Sequence, residues 1–576
     1  MDARKSKVAR LALVALVTAG LILPQARLSA TSKPPVRARH GMVVSSHPLA
    51  SQVGVDILKR GGTAVDAAIA VGYALAVTHP AAGNLGGGGF LVARMANGET
   101  RAFDFREKAP AAAHERMFLD ENGEYDGRSS HEGYRSVGVP GTVAGFFLAH
   151  QKLGRLPMKQ LIEPAIRLAD KGFPLSWALA DSFRRLAPQW KKYPASGRIF
   201  LKDNGAAYEP GETWRQPDLA RTLRRIQKRG RDEFYQGGTA RLLVADMERH
   251  GGLITLADLA AYEAKERTPL RGTYRSFEVI SMPPPSSGGV ALLEMLNILE
   301  GYDLAGYGFG SAMHLHLVAE AMRRAFADRA RYLGDPDFNA EMPVAKLISK
   351  EYAAELRRTI DPQRASRSDP LRFNDTGESD QTTHYSVVDA EGNAVVVTYT
   401  LEDSYGSKIV AAGTGFLLNN EMGDFNPVPG RTDESGLIGT PPNRIRPGKR
   451  MLSSMTPTIV LKDGKPLLLV GSPGGRTIIN TVLQVIINVV DFRMDVAEAI
   501  AAPRLHHQWL PNVLRVERFG FSPDTLRLLE QMGHKLQPYE SSRSLGRAMG
   551  IWIDPQSGLR LGTADPRDPD GAALGY

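Results

Sequence analysis

The change of pattern at residue 382 constrains this chain more than any other feature. Between Asp361 and Asp380 the sequence is polar and aperiodic, with Pro, Arg, Ser, Asp and Asn in the mixture of an exposed linker. From Thr382 it becomes β. Thr382-Thr383-His384-Tyr385-Ser386-Val387-Val388 alternates and is rich in β-branched residues, Asp389-Ala390-Glu391-Gly392-Asn393 is a turn signal, and Ala394 to Thr400 is a second strand. Pairing the strands about this turn places Thr400 within a residue of opposite Thr382. Two threonine hydroxyls are therefore expected side by side at the hairpin's open end.

Upstream the pattern is mainly helical. Ala50 to Val77 carries apolar residues at helical spacing, broken at Gly61-Gly62, and reads as two helices with Asp66 in the second. Asn84-Leu85-Gly86-Gly87-Gly88-Gly89 precedes the apolar strand Phe90-Leu91-Val92-Ala93. A phosphate loop would end in Gly-Lys-Ser/Thr and precede a helix, so this Gly run is expected to pack closely against other chain instead. From about Val143 to Arg357 the chain reads as mostly helical, with amphipathic spacing over Met158 to Lys171, Leu219 to Lys228, Thr239 to His250 and Ser311 to Arg331. Pro283-Pro284-Pro285-Ser286-Ser287-Gly288-Gly289 is a stiff interruption. A second β segment, Thr458 to Leu461 and Pro466 to Val470, runs into Gly471-Ser472-Pro473-Gly474-Gly475.

The 576 residues contain no Cys, which excludes disulfide frameworks, thiolate metal sites and a cysteine nucleophile, so any nucleophile is an oxygen or an amine. Length alone suggests about three to four domains. The net charge is +9, but Arg4, Lys5, Lys7, Arg10 and Arg27 stand against Asp2 in the first thirty residues, and the remaining excess is too weak to imply nucleic acid. Those thirty residues have the layout of a secretory signal: a basic stretch ending at Arg10, an apolar run from Leu11 to Leu23, then Ala26 and Ala30 as cleavage points. The apolar run falls short of the roughly 20 residues that span a bilayer. Export with cleavage at about Ala30 is expected, giving a periplasmic or secreted protein with no stable membrane anchor.

On spacing alone Thr382 is an ordinary strand residue. If the chain broke at Gln381-Thr382, however, Thr382 would gain an α-amine, which titrates at about 7.7 to 8.0 and can act as base for the residue's own hydroxyl. At this point a resemblance becomes specific. Thr382 to Asp389, Leu417-Leu418-Asn419-Asn420-Glu421-Met422-Gly423-Asp424-Phe425, Leu452-Ser453-Ser454-Met455-Thr456-Pro457 and Gly471 to Gly475 resemble the signatures of the γ-glutamyltranspeptidases, which are N-terminal nucleophile hydrolases. The likeness also takes in Asp104-Phe105-Arg106-Glu107, the Gly run at Asn84 and the Pro-Pro-Pro-Ser-Ser-Gly-Gly segment, so it extends from about Gly41 to Tyr576.

The resemblance implies an α+β fold, a four-layer αββα sandwich, and a precursor that cuts itself at Gln381-Thr382. The products would be a large subunit of residues 31–381 and a small catalytic subunit of residues 382–576, associated as a heterodimer. Thr382 would attack a γ-amide carbonyl with Thr400 beside it, and the amides of Gly474 and Gly475 would hold the oxyanion. The γ-glutamyl ester would pass to water or to an amino-acid or peptide amine, with glutathione and related γ-glutamyl compounds as donors and no cofactor or metal. Arg106, Ser453 and Ser454 match the family's α-carboxylate clamp, and Glu421 and Asp424 its ammonium site.

Two departures stand out. The family usually has Thr-Leu-Asn where this chain has Thr400-Leu401-Glu402, so Glu402 adds a third acid around one ammonium, and the expectation is either that one of the three is protonated or that Glu402 pairs with a cation such as Lys408. Arg431-Thr432-Asp433-Glu434-Ser435-Gly436 stands where many bacterial members carry a pocket-covering Tyr. Other features carry plainer readings. Arg106 beside Glu107, taken alone, is a surface ion pair. His384 shares a face with Thr382 but is read as packing, because the α-amine already supplies the base. His506-His507 lacks an acid-rich ligand set and is not read as a metal pair. Arg444, Arg446, Lys449 and Arg450 are expected to form a solvated loop. Glu402 keeps open a glutaryl-type β-lactam acylase of the same fold, and a non-catalytic secreted binding protein is the rival from another class.

Overall fold

The computed structural model describes residues 33–369, 382–437, 439–539 and 545–576. The leader expected over residues 1–30 and Gln381, the residue before the expected cut, lie outside the described residues.

Two seven-stranded sheets form the centre. One runs in the order Val36–Ala38, Arg560–Ala564, Met549–Ile553, Lys465–Gly471, Thr458–Lys462, Phe277–Ser281 and Leu270–Tyr274. The other runs Ala572–Gly575, Met42–Ser45, Thr383–Val388, Ala394–Thr400, Gly88–Arg94, Thr100–Asp104 and Lys265–Arg267. Alternate side chains of a strand point to opposite faces, and both faces of these strands are apolar. Met42, Val44, Phe90, Val92, Val396, Ile459, Leu469 and Ile551 interdigitate between the sheets. The opposite faces, through Val43, Leu91, Val395 and Val397 on one sheet and Val279, Val460, Leu468 and Val470 on the other, meet helices. The result is the expected αββα layering, in which each fully buried Val, Leu or Ile contributes about 1.5–3 kcal/mol.

The helices follow their sequence signals. Pro48–Lys59 and Ala64–Thr78 flank the Gly61-Gly62 break, and every residue of the second is buried, as an all-round apolar helix must be. Asp66 is tolerated there because it completes a capping box with Thr63 and accepts from the amides of Arg155 and Leu156. On the other sheet Gly288–Leu299, Ala312–Tyr332 and Thr477–Val490 form the outer layer.

Two expectations change and one is refined. Residues 143–357 are mostly helical, as expected, but Lys265–Arg267, Leu270–Tyr274 and Phe277–Ser281 are strands. The first two are sheet edges, where charged residues are normal and blur the apolar alternation. Length suggested several domains, yet residues 34–576 form one compact unit, since both sheets draw strands from both ends of the chain. The loop holding Lys449 and Arg450 is not solvated at those residues, each 1% exposed. Arg450 Nε lies 3.3 Å from Asp104 Oδ1, and its Nη2 donates to the Glu263 carbonyl at 2.7 Å.

Candidate active site

The register of the first hairpin pairs Thr383 with Tyr399, so Thr382 stands opposite Thr400. Thr382 Oγ1 donates to Thr400 Oγ1 at 3.4 Å, and Thr400 Oγ1 accepts from the Glu402 amide at 2.9 Å. Thr400 pairs on its other side with Gly88. The Gly run does pack as expected: a Cβ on Gly87 would lie 2.1 Å from the Thr400 carbonyl oxygen, a clash no backbone tolerates. That approach lets Asn84 Nδ2 donate to the same carbonyl at 2.8 Å, while Thr142 Oγ1 donates to Asn84 Oδ1 at 2.6 Å.

A narrow pocket opens beside the two hydroxyls. Its walls include Arg106, Glu402, Glu421, Asp424, Ser453, Ser454 and Gly475, together with Met455 and Ile478. Gly474 is the neighbour of Gly475 and is not among the wall residues. Both glycines have positive φ, +130° and +53°, and Thr477 donates to the Gly474 carbonyl as the helix Thr477–Val490 begins. The opening amides of a helix lack intrahelical acceptors and face toward anions.

Arg106 follows the strand Thr100–Asp104 and is 1% exposed, so it is no surface ion pair. Its Nε donates to the Met451 carbonyl at 3.3 Å and its Nη2 to that of Leu452 at 3.2 Å. Its remaining N–H groups face Glu421 Oε2 at 2.5 Å, Asp424 at closer range, and Glu107 at 3.5 Å. Burial opposes the guanidinium charge, but these three acids more than offset it and hold Arg106 protonated. Burial pushes Glu107 up to about 8 against the pull of Arg106, and pushes Glu421 well above the carboxylate range, helped by Glu107, Asp424 and Glu402.

Ser453 and Ser454 are set by long-range contacts. The Ser453 amide donates to the Pro285 carbonyl at 3.0 Å and its carbonyl accepts from the Ser287 amide at 2.7 Å, which gives the Pro-Pro-Pro-Ser-Ser-Gly-Gly segment its task. Arg329 bridges the two segments, with Nε to Ser287 Oγ at 2.8 Å and Nη2 to Ser454 Oγ at 3.1 Å. Sequence reasoning missed Arg329, whose partners are distant in the chain.

Glu402 adopts φ +77° and is buried. Its partner is not Lys408, which reaches Gly406 O at 2.7 Å and Asp403 Oδ2 at 3.5 Å. Instead His131 Nε2 stands 3.1 Å from Glu402 Oε1. His131 also escaped the sequence reading, since nothing local marks it. His384 is wholly buried between Thr398 Oγ1 at 2.8 Å and Ser386 Oγ at 3.1 Å, and burial lowers it to about 3. It is neutral and bound as packing. Among the described residues a ligand-like group, His316, Glu320 and His534, lies outside the pocket wall. Glu320 already pairs with Arg323 and Arg324, and His316 Nδ1 with His534 Nε2 at 2.8 Å.

The arrangement offers paired hydroxyls, a glycine turn at a helix start, and one buried cation among carboxylates. That set suits acyl transfer from a donor carrying both charges of an amino acid. A family model described as gamma-glutamyltranspeptidase matches residues 50–575. The glutathione hydrolase proenzyme of Escherichia coli (strain K12) is 51% identical over 94% of this chain and 93% of its own length. The acylase ACY 1 proenzyme of Pseudomonas sp. (strain SE83) is 39% identical over 92% of each chain. The crystal structure of cephalosporin acylase from Bacillus halodurans superposes with a TM-score of 0.83 at 29% identity, covering 96% of this chain and 99% of that one.

Proposed function

The chain belongs to the gamma-glutamyltranspeptidase family, and on that premise we propose that it is a glutathione hydrolase and γ-glutamyltransferase in which Thr382 is the nucleophile. The precursor cuts itself at Gln381-Thr382 after export and loss of residues 1–30, leaving residues 31–381 and 382–576 as associated subunits. No helix among the described residues is long and apolar enough to cross a membrane.

The freed α-amine of Thr382 takes the proton of its own hydroxyl as the oxygen attacks the donor's γ-carbonyl. The amides of Gly474 and Gly475 hold the oxyanion, where one lost donor typically costs about 100- to 1000-fold in rate. Collapse breaks the C–N bond, the ammonium returns its proton to the leaving amine, and a γ-glutamyl ester remains on Thr382. Water or an acceptor amine then attacks the ester carbonyl and gives its proton to the α-amine, and collapse breaks the ester C–O bond as the ammonium returns that proton to the Thr382 oxygen.

Recognition is an exchange of ion pairs. In the pocket Arg106 lies against Glu421 and Asp424. A donor's α-carboxylate displaces them from the guanidinium, assisted by Ser453 and Ser454, and the released acids together with Glu402 receive the α-ammonium. A glutaryl donor brings a carboxylate for Arg106 but no ammonium, leaving the displaced Glu421 and Asp424 buried without a counter-charge, which ranks the acylase reading second. The observation that carries the proposal is the Thr382–Thr400 hydroxyl contact in the same pocket as Arg106 and its acids. Mass spectrometry of the purified protein is expected to find a chain starting at Thr382, and a γ-glutamyl anilide is expected to turn over faster than its glutaryl counterpart. One uncut chain, or faster glutaryl turnover, would falsify it.

A further inference from the structure

Glu402 is a buried carboxylate in the pocket wall, and His131 is the cation that reaches it. The two belong to distant segments that the fold locks together. Asn420 Nδ2 donates to the His131 carbonyl at 3.2 Å and to Asp403 Oδ2 at 3.0 Å, while Asn420 Oδ1 accepts from the Asp403 amide at 3.1 Å. The imidazole is wedged against the turn that carries Glu421 and Asp424, for a Cβ on Gly423 would lie 2.5 Å from His131 Nε2.

Both ring nitrogens face oxygen. Nδ1 lies 3.1 Å from the Gly127 carbonyl and 2.7 Å from Ser130 Oγ, and Nε2 lies 3.1 Å from Glu402 Oε1. A carbonyl and a carboxylate only accept, whereas Ser130 Oγ can accept or donate, so these surroundings accommodate the doubly protonated imidazolium. The side chain of His131 is 28% exposed and that of Glu402 3%, which places the cation at the rim and the acid inside. The other ionisable groups nearby are Asp403, Glu421, Asp424 and Tyr125, with Arg106 beyond, and Arg106 is occupied by Glu421 and Asp424. His131 is therefore the positive group committed to Glu402.

We propose that His131 is a specificity-determining positioning residue: standing on Glu402, it keeps that carboxylate charged and aimed so that a donor's α-ammonium is preferred over an uncharged group at the same place. This rests on the γ-glutamyl reading of the pocket. The charge of Glu402 raises His131 to about 10 despite partial burial. Burial drives Glu402 toward protonation, and the imidazolium opposes it. Without His131 the carboxyl would hold its proton across neutral pH and attract the ammonium less. Its ionisation, and the preference, would return only as pH rises.

The test compares the wild-type enzyme with His131→Gln and His131→Lys, each first checked for processing into two chains. The readout is the ratio of kcat/KM on a γ-glutamyl anilide to that on its glutaryl counterpart from pH 6.5 to 9.5. In His131→Gln this ratio is expected to fall about tenfold relative to wild type at pH 7, through KM rather than kcat, and the deficit is expected to shrink toward pH 9.5. His131→Lys should restore much of it. An unchanged ratio, or a deficit independent of pH, overturns the proposal. Histidine NMR gives a readout separate from turnover: the His131 ring should stay protonated past pH 8 in wild type and titrate near the ordinary 6.5 in Glu402→Gln. A ring that titrates normally in the wild type overturns the proposal even if γ-glutamyl turnover is fast. If the ring behaves as expected but only glutaryl donors react, the substrate reading is at fault and the preference assigned to the pair falls with it.

Discussion

Arg106 makes the sharpest single-residue argument, because its planar guanidinium meets Glu421 and Asp424 through different nitrogens while two backbone carbonyls fix its orientation. Lysine keeps the charge and loses the fork. Arg106→Lys is expected to raise KM for a γ-glutamyl donor roughly 10- to 100-fold with a smaller effect on kcat, as steady-state kinetics would show. The residues legible in the sequence were those whose motifs lie in one short run, such as Ser453-Ser454 and Glu421 to Asp424. His131 and Arg329 were not legible, since each acts on a partner far along the chain, in Glu402 and Ser454. Long-range pairing leaves no local periodicity to detect. The proposed partner Lys408 failed for a related reason: closeness in sequence does not aim a side chain, and its Nζ turns to the Gly406 carbonyl.

At the scale of elements, the hairpin was readable because strand alternation and a five-residue turn signal together set its register, and the observed Thr383–Tyr399 pairing extends to the two hydroxyls. The strands Lys265–Arg267 and Leu270–Tyr274 were hidden at the sheet edges, where Lys265-Glu266-Arg267 resembles any solvated segment. The Gly run sits between these cases. Its composition announced close packing but not its partner, which is the strand ending at Thr400. Gly87→Ala puts a methyl where the Thr400 carbonyl oxygen lies, so the strand must shift. Because displacing a reacting group by about 1 Å can cost roughly 100-fold, this variant is expected to lose at least tenfold in turnover, self-cleavage or both. Kinetics and denaturing electrophoresis would measure each loss separately.

For the whole molecule, acid lability follows from buried imidazoles. Burial lowers His47, His314 and His534 to about 4 and His79, His384 and His506 to about 3. Unfolding frees these rings to take protons near the ordinary 6.5, so they draw stability down as pH drops from about 6.5 toward 4, while Glu107, Glu402 and Glu421, raised by burial, act in the opposite sense until the unfolded carboxyls also protonate near 4.5. Scanning calorimetry is expected to show a melting temperature lower at pH 4 than at pH 5, where the unfolded carboxyls also take up protons and the imidazoles decide the sign. A melting point that held or rose over this interval would contradict the assignment of these rings as neutral.

The strand Met42–Ser45 lies between Ala572–Gly575 and Thr383–Val388, so material from before the proposed cut is held on both sides by material from after it. Once the peptide bond at Thr382 is gone, covalent continuity no longer brings these strands together, and recovery from denaturant becomes a second-order event. Its yield should climb with protein concentration for the processed enzyme until aggregation intervenes, whereas the uncleavable Thr382→Ala chain should refold with a yield indifferent to dilution.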